Sequence, residues 1–271
     1  MKSVQWVSLA EEMNPSCRST MEDTHRVVDS FCGGEGQGFF AVYDGHGGRG
    51  VAEFLEERLD HNVRLELEHS EKESSGGKCA PRPVAECLCS AYFITDIESS
   101  KRGLMMSGST AATCLIRREG DGNRRVLYAA NVGDTRAVLC RKGGTAQRLT
   151  YDHKASDPSE MKRIEESGGF VLRKRVLGIL AVSRSFGDHS MKKFVVARPH
   201  VTETVLTEDD DFLIIACDGV WDILTDQEAV DLVRREMEQN SNENAAVANV
   251  LVQRSLAGGS TDNITALVIK L

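Results

Sequence analysis

Much that would assign a function at once is missing from this chain. No C-x-x-C pair occurs among Cys17, Cys32, Cys79, Cys87, Cys89, Cys114, Cys140 and Cys217, so neither a zinc site nor a disulfide framework is spelled out. Reduced, mostly buried thiols are expected. No run of Lys and Arg longer than Arg173-Lys174-Arg175 and no interleaving of arginine with aromatics is present, and the formal charge is −8, which makes nucleic acid an unsuitable partner. No apolar run approaches membrane-spanning length. The start, "MKSVQWVSLAEEM", has neither a signal-peptide apolar core nor a Met-Gly opening, so the expectation is an intracellular protein, cytoplasmic or nuclear, away from membranes. A nucleotide-binding loop ending Gly-Lys-Ser/Thr is lacking too: "SSGGKCA" ends in cysteine and has no leading glycine. Nor does a linker divide the 271 residues. The polar stretch Glu68–Pro83 is too short for one and reads as a loop between two helices, so residues 1–271 are expected to form one domain, a monomer.

What is present is an odd placement of acids. "FFAVYDGHGG", from Phe39 to Gly48, runs a strand apolar enough to be buried on both faces straight into Asp44-Gly45-His46. Asp-Gly is a favoured turn dipeptide, and alone it would read as a hairpin. "FLIIACDGVWD" repeats the pattern at Asp218-Gly219, and "GGSTDNITALVI" inverts it, with Asp262 just ahead of an apolar strand. Strands ending at one edge of a core would gather these carboxylates. Crowded carboxylates repel, and burying them unpaired is costly, so such a cluster needs cations; oxygen ligands favour Mg²⁺ or Mn²⁺.

Strand patterns recur at Val4–Leu9, His25–Ser30, Phe39–Tyr43, Ser109–Arg117, Arg124–Ala130, Ala137–Arg141, Val201–Leu206, Phe212–Cys217 and Ile264–Ile269. Several read as hairpins, as in "RRVLYAANVGDTRAVLCRKGGTAQRL". Helical spacing covers Gly50–Glu68, Val84–Ser99, Asp157–Ser167, Asp226–Glu238 and Glu243–Leu256. Strands in hairpin groups with helix pairs between them predict an α+β fold: a central β-sandwich of two antiparallel sheets flanked by helices.

Two further segments carry charge into this frame. "CRSTMEDTH" places Arg18 and Glu22-Asp23 just before a strand, and "NVGDTRAV" holds Asp134 in a tight turn. Together with "YDGHGG", "SGSTA", "DHKASDPSE", "VLGILAVSRSFGD", "ACDGVWD" and "GGSTDNIT", these segments resemble, in this order and over nearly the whole chain, the metal-dependent protein phosphatases of type 2C, which act on phosphoserine and phosphothreonine.

That resemblance implies a four-layer αββα sandwich with a small flap at about 150–194 and a two-metal centre at one end. By it, Glu22, Asp44 and the Gly45 carbonyl would hold one Mn²⁺ or Mg²⁺ ion, Asp44 would bridge to a second held by Asp218 and Asp262, and Asp134 and Asp222 would take a weaker third. Asp23 would orient the attacking water, a hydroxide shared by two ions that needs no protein nucleophile. Arg18 would grip the phosphate and His46 would protonate the leaving oxygen of a phosphoprotein substrate. The chain departs from the family pattern at Ser16, where a glycine is usual. It has no tryptophan in the flap, which disfavours hormone-receptor docking of the plant kind.

Rival enzymes fit poorly. No cysteine has an arginine six residues on, as a thiolate phosphatase requires, and the Gly-Asn-His-Glu segment of the histidine-rich metallophosphatases is missing. The alternative from another class is a catalytically silent scaffold, which would be expected to have lost one of the four core acids. All four are present.

Overall fold

The computed structural model describes residues 1–75, 80–120, 124–239 and 246–271. Two antiparallel sheets lie face to face. The first contains β1 (Trp6–Glu12), β13 (Ile264–Lys270), β12 (Phe212–Ala216), β6 (Arg136–Arg141) and β7 (Thr145–Arg148), in that order. The second runs β11 (His200–Val205), β5 (Arg124–Val132), β4 (Gly108–Glu119), β3 (Gly38–His46), β2 (Thr24–Asp29), with the short β10 (Phe186–Gly187) beside β4. Helices α1 (Gly50–Ser75) and α2 (Val84–Lys101) cover one outer face; α4 (Asp218–Trp221), α5 (Asp226–Gln239) and α6 (Asn249–Ala257) cover the other. Helix α3 (Pro158–Glu166) and the hairpin β8 (Val171–Leu172)–β9 (Arg175–Val176) belong to the flap.

The period-2 geometry of strands explains why so many are apolar throughout. In β3, Phe39, Ala41 and Tyr43 pack toward α1 and α2, while Phe40 and Val42 enter the space between the sheets. In β12, Phe212, Ile214 and Ala216 face the second helical layer, and Leu213 and Ile215 face inward against Leu139, Leu267 and Ile269. Three apolar layers therefore hold four structural ones together, as expected. The flap has a small core of its own, Ala155, Ile164, Val176 and Val195.

Three local expectations differ. Asp44-Gly45 is no hairpin turn: β3 continues through it, with Asp44 opposite Thr110 and His46 opposite Gly108. The Gly133–Asp134 turn is not a hairpin either, because β5 and β6 lie in different sheets and the turn crosses between them, with Gly133 at φ 82. Helix α1 extends into the stretch read as loop, because Leu67 is buried and Glu71 reaches Arg117 at 2.8 Å. Of the helix read at 243–256, residues 243–245 lie outside the described residues, as does Cys79; the remainder forms α6 from Asn249. The seven described cysteines are free, and of them Cys87, Cys114, Cys140 and Cys217 are buried. Among the described residues, no helix is long and apolar enough to cross a membrane.

Candidate active site

Strand register brings the acids together. Thr24 pairs with Tyr43, Glu12 with Ile264, and Ala216 with both Ala266 and Arg136. The end of β3, the start of β2, the end of β12 and the start of β13 therefore share one end of the sandwich, along with the β5–β6 crossing. The glycines after Asp44 and Asp218 are there for close approach: a Cβ on Gly45 would collide with the Glu22 carbonyl oxygen, and one on Gly219 with the Asn263 carbonyl oxygen. Asn263 ties the loops to each other. Its Nδ2 donates to the carbonyls of Met13 (2.8 Å) and Thr20 (3.0 Å), and its Oδ1 accepts from the Glu22 N–H (2.8 Å).

One carboxylate oxygen each from Asp44, Asp134 and Asp218 lies within 4.8 Å of the others. Burial pushes the Asp44 carboxyl well above the ordinary carboxylate range, and Asp218, Asp23 and Asp134 add to the shift. Asp218 is raised in the same way by burial and then by Asp134 and Asp262. Anionic oxygens driven this close, without ammonium or guanidinium groups enough to balance them, suit a hard divalent cation. Glu22 borders the trio: it accepts from the Gly48 N–H at 3.1 Å and the Thr20 hydroxyl at 3.2 Å. Asp262 accepts from the Asn263 N–H at 2.7 Å and from Arg18 Nη2 at 2.5 Å. Arg18 also donates to the Thr261 carbonyl at 3.2 Å and keeps 48% of its side chain exposed.

Asp23 sits deeper than the other acids. It is 1% exposed, accepts from the Thr265 hydroxyl at 2.8 Å, and burial lifts its carboxyl to about 6. Asp222 is 64% exposed, its carboxylate against Lys154 and its N–H donating to the Asp218 carbonyl at 2.9 Å. His46 is not alone: its Nε2 is 2.8 Å from Asp188, which also accepts from the Ser185 hydroxyl at 2.5 Å. Burial alone would raise the Asp188 carboxyl, yet the contacts with His46 and Ser185 hold it below its ordinary value. Asp188 and Lys154 were not singled out from sequence, although both fall inside quoted segments, "SFGD" and "DHK". Ser16 causes no strain, since the left-handed residue of its loop is Asn14 (φ 58), which the Ser16 hydroxyl contacts at 3.0 Å. A cavity of about 860 Å³ between α2 and the Val196–Val201 segment includes none of the site's acids.

Comparison with known proteins places these features in a family. A family model described as Protein phosphatase 2C matches residues 8–264. The chain is 39% identical over 276 aligned residues to "Protein phosphatase 2C homolog 1" of Saccharomyces cerevisiae, covering 98% of this chain and 93% of that one. It is 41% identical to the protein of the same name in Schizosaccharomyces pombe, covering 100% and 74%. Among solved structures, a phosphatase from Toxoplasma gondii superposes with a TM-score of 0.81 at 22% identity, over 98% of this chain and 93% of that one. A Caenorhabditis elegans sex determining protein superposes with a TM-score of 0.83 at 23% identity, over 100% and 65%. The structural matches bear on fold alone.

Proposed function

The chain belongs to the protein phosphatase 2C family and is a metal-dependent phosphoprotein phosphatase of the serine/threonine type; from that premise we propose how its residues divide the work. Glu22, Asp44, the Gly45 carbonyl, Asp218 and Asp262 would hold a pair of Mn²⁺ or Mg²⁺ ions. When bound, such a pair supplies what carboxylates lack: a water acidified into a nucleophile near neutral pH, and positive charge opposite the phosphate. The observation that carries the reading is the convergence of the Asp44, Asp134 and Asp218 carboxylates within 4.8 Å of one another.

The chain's own groups do the rest. Arg18, half exposed and bound to Asp262, offers a planar fork that can exchange one carboxylate for two phosphate oxygens. Asp188 fixes the His46 ring through Nε2, which leaves Nδ1 for proton transfer to the departing serine or threonine oxygen. Asp23, buried near Asp44 and held by the Thr265 hydroxyl, would orient the attacking water. No side chain is needed as a nucleophile, so no phosphoenzyme forms. A silent scaffold is disfavoured by the presence of all four core acids at one edge.

The test is hydrolysis of a phosphothreonine peptide and of p-nitrophenyl phosphate with Mn²⁺ and with a chelator. Turnover that requires the ion is expected. Full activity after exhaustive chelation would overturn the reading, and Mn²⁺ binding without hydrolysis of either ester would make the chain a scaffold.

A further inference from the structure

Lys154 lies where the family resemblance puts the ligands of a weaker third ion. Its Nζ is 3.2 Å from an oxygen of Asp134 and 3.2 Å from an oxygen of Asp222. The lysine is fixed there by backbone on both sides. Lys154 forms an isolated bridge with Val182 in the flap. Next to it, the Ala155 N–H donates to the Ala181 carbonyl at 2.7 Å and the Ser183 N–H to the His153 carbonyl at 2.8 Å. On the other side the His153 N–H donates to the Gly133 carbonyl at 2.9 Å, one residue from Asp134. The segment 153–155 is thus threaded between the acidic turn and the root of the flap, which sets the Lys154 backbone beside both acids.

The charges leave no room for a third dication. Asp134 has one side toward Asp44 and Asp218 and the other toward Lys154, while the Asp222 carboxylate meets Lys154 and adds to the negative charge around Asp218. A divalent ion between Asp134 and Asp222 would have to displace an ammonium paired with both carboxylates, or sit against it. The residues at this position do not fit a third ion.

We propose that Lys154 is the built-in third cation of the site: its ammonium joins Asp134 to Asp222, limits the chain to two divalent ions, and pins the flap to the catalytic edge without metal. This inference rests on the two-ion reading above. Its consequence is that the flap stays docked when the divalent ions are removed, a task a weakly bound ion could not perform.

The test counts Mn²⁺ per chain by equilibrium dialysis at millimolar metal, and follows amide hydrogen exchange at residues 181–183 in chelator. Wild type and Lys154→Arg are expected to hold two ions, Lys154→Met three, with faster exchange at 181–183 in Lys154→Met alone. The exposed Asp222→Asn, which should fold whatever Lys154→Met does, is expected to leave the count at two. Three ions on wild type, with one lost in Asp222→Asn, would overturn the proposal. So would exchange at 181–183 that is unprotected in chelated wild type. A wild-type protein that binds no ion would instead sink the two-ion reading itself, so the two failures are distinguishable.

Discussion

Glu160 anchors the flap, and its replacement by Gln is the sharpest test of how that segment is held. It is 2% exposed on α3 and accepts from Arg184 (2.7 and 3.0 Å), Arg163 (2.9 and 3.2 Å) and the Ser183 hydroxyl (2.7 Å). Burial alone would raise its carboxyl; these donors instead hold it at about 2, against an ordinary value of 4.5. At roughly 1.4 kcal/mol per pH unit, the depression corresponds to about 3 kcal/mol at neutral pH. Because the folded value lies below the unfolded one, this stability is present above pH 4.5 and is lost as pH falls toward 2. At pH 3 about 1.4 kcal/mol should remain. Glu160→Gln keeps the shape and removes the charge, so urea unfolding at pH 7 should show a loss of up to about 3 kcal/mol, or roughly 6 °C in Tm. The gap from wild type should narrow by about half at pH 3. A variant within about 0.5 kcal/mol of wild type at pH 7 would refute the reasoning, as would a gap that ignores pH.

Three other outcomes can be checked together. Asp44→Asn and Asp218→Asn should each lower Mn²⁺-dependent turnover more than about 100-fold, since losing a ligand costs more than losing its supporting partner; wild-type rates in either would show the ligand assignment to be wrong. His46→Gln should slow phosphopeptide hydrolysis roughly 10²–10⁴-fold and aryl phosphate hydrolysis much less, because an aryl oxide departs without a proton; equal losses with weakened Mn²⁺ binding would assign His46 to supporting Asp44 instead. Gly219→Ala should cost about 2–4 kcal/mol in thermal or urea melts, because its Cβ meets the Asn263 carbonyl oxygen; an unchanged melt would show that the backbone there yields freely.

How much of this was legible in the sequence depends on whether the information is local. The acids at strand ends could be read because an apolar run that stops at a carboxylate is a local conflict, and Asp44, Asp218 and Asp262 each display it. The role of the following glycine could not: Asp-Gly looks like a turn from within its own strand, and only the arrival of Glu22 or Asn263 from a distant segment shows that a side chain would not fit. The same holds for sheet membership. Nearly all of β5 is buried on both faces, so no alternation betrays which sheet it joins, and the hairpin reading of β5 with β6 follows from spacing alone. Charge partners are the least legible of all. Asp188 meets His46 across 142 residues, and Lys154 joins Asp134 to an acid 68 residues further on. No pattern of propensity selects one lysine among many for that position; closure of the flap onto the sandwich end does. The chain states its catalytic chemistry at the ends of its strands, while what balances and orients that chemistry is decided by the loops that the sandwich brings beside them.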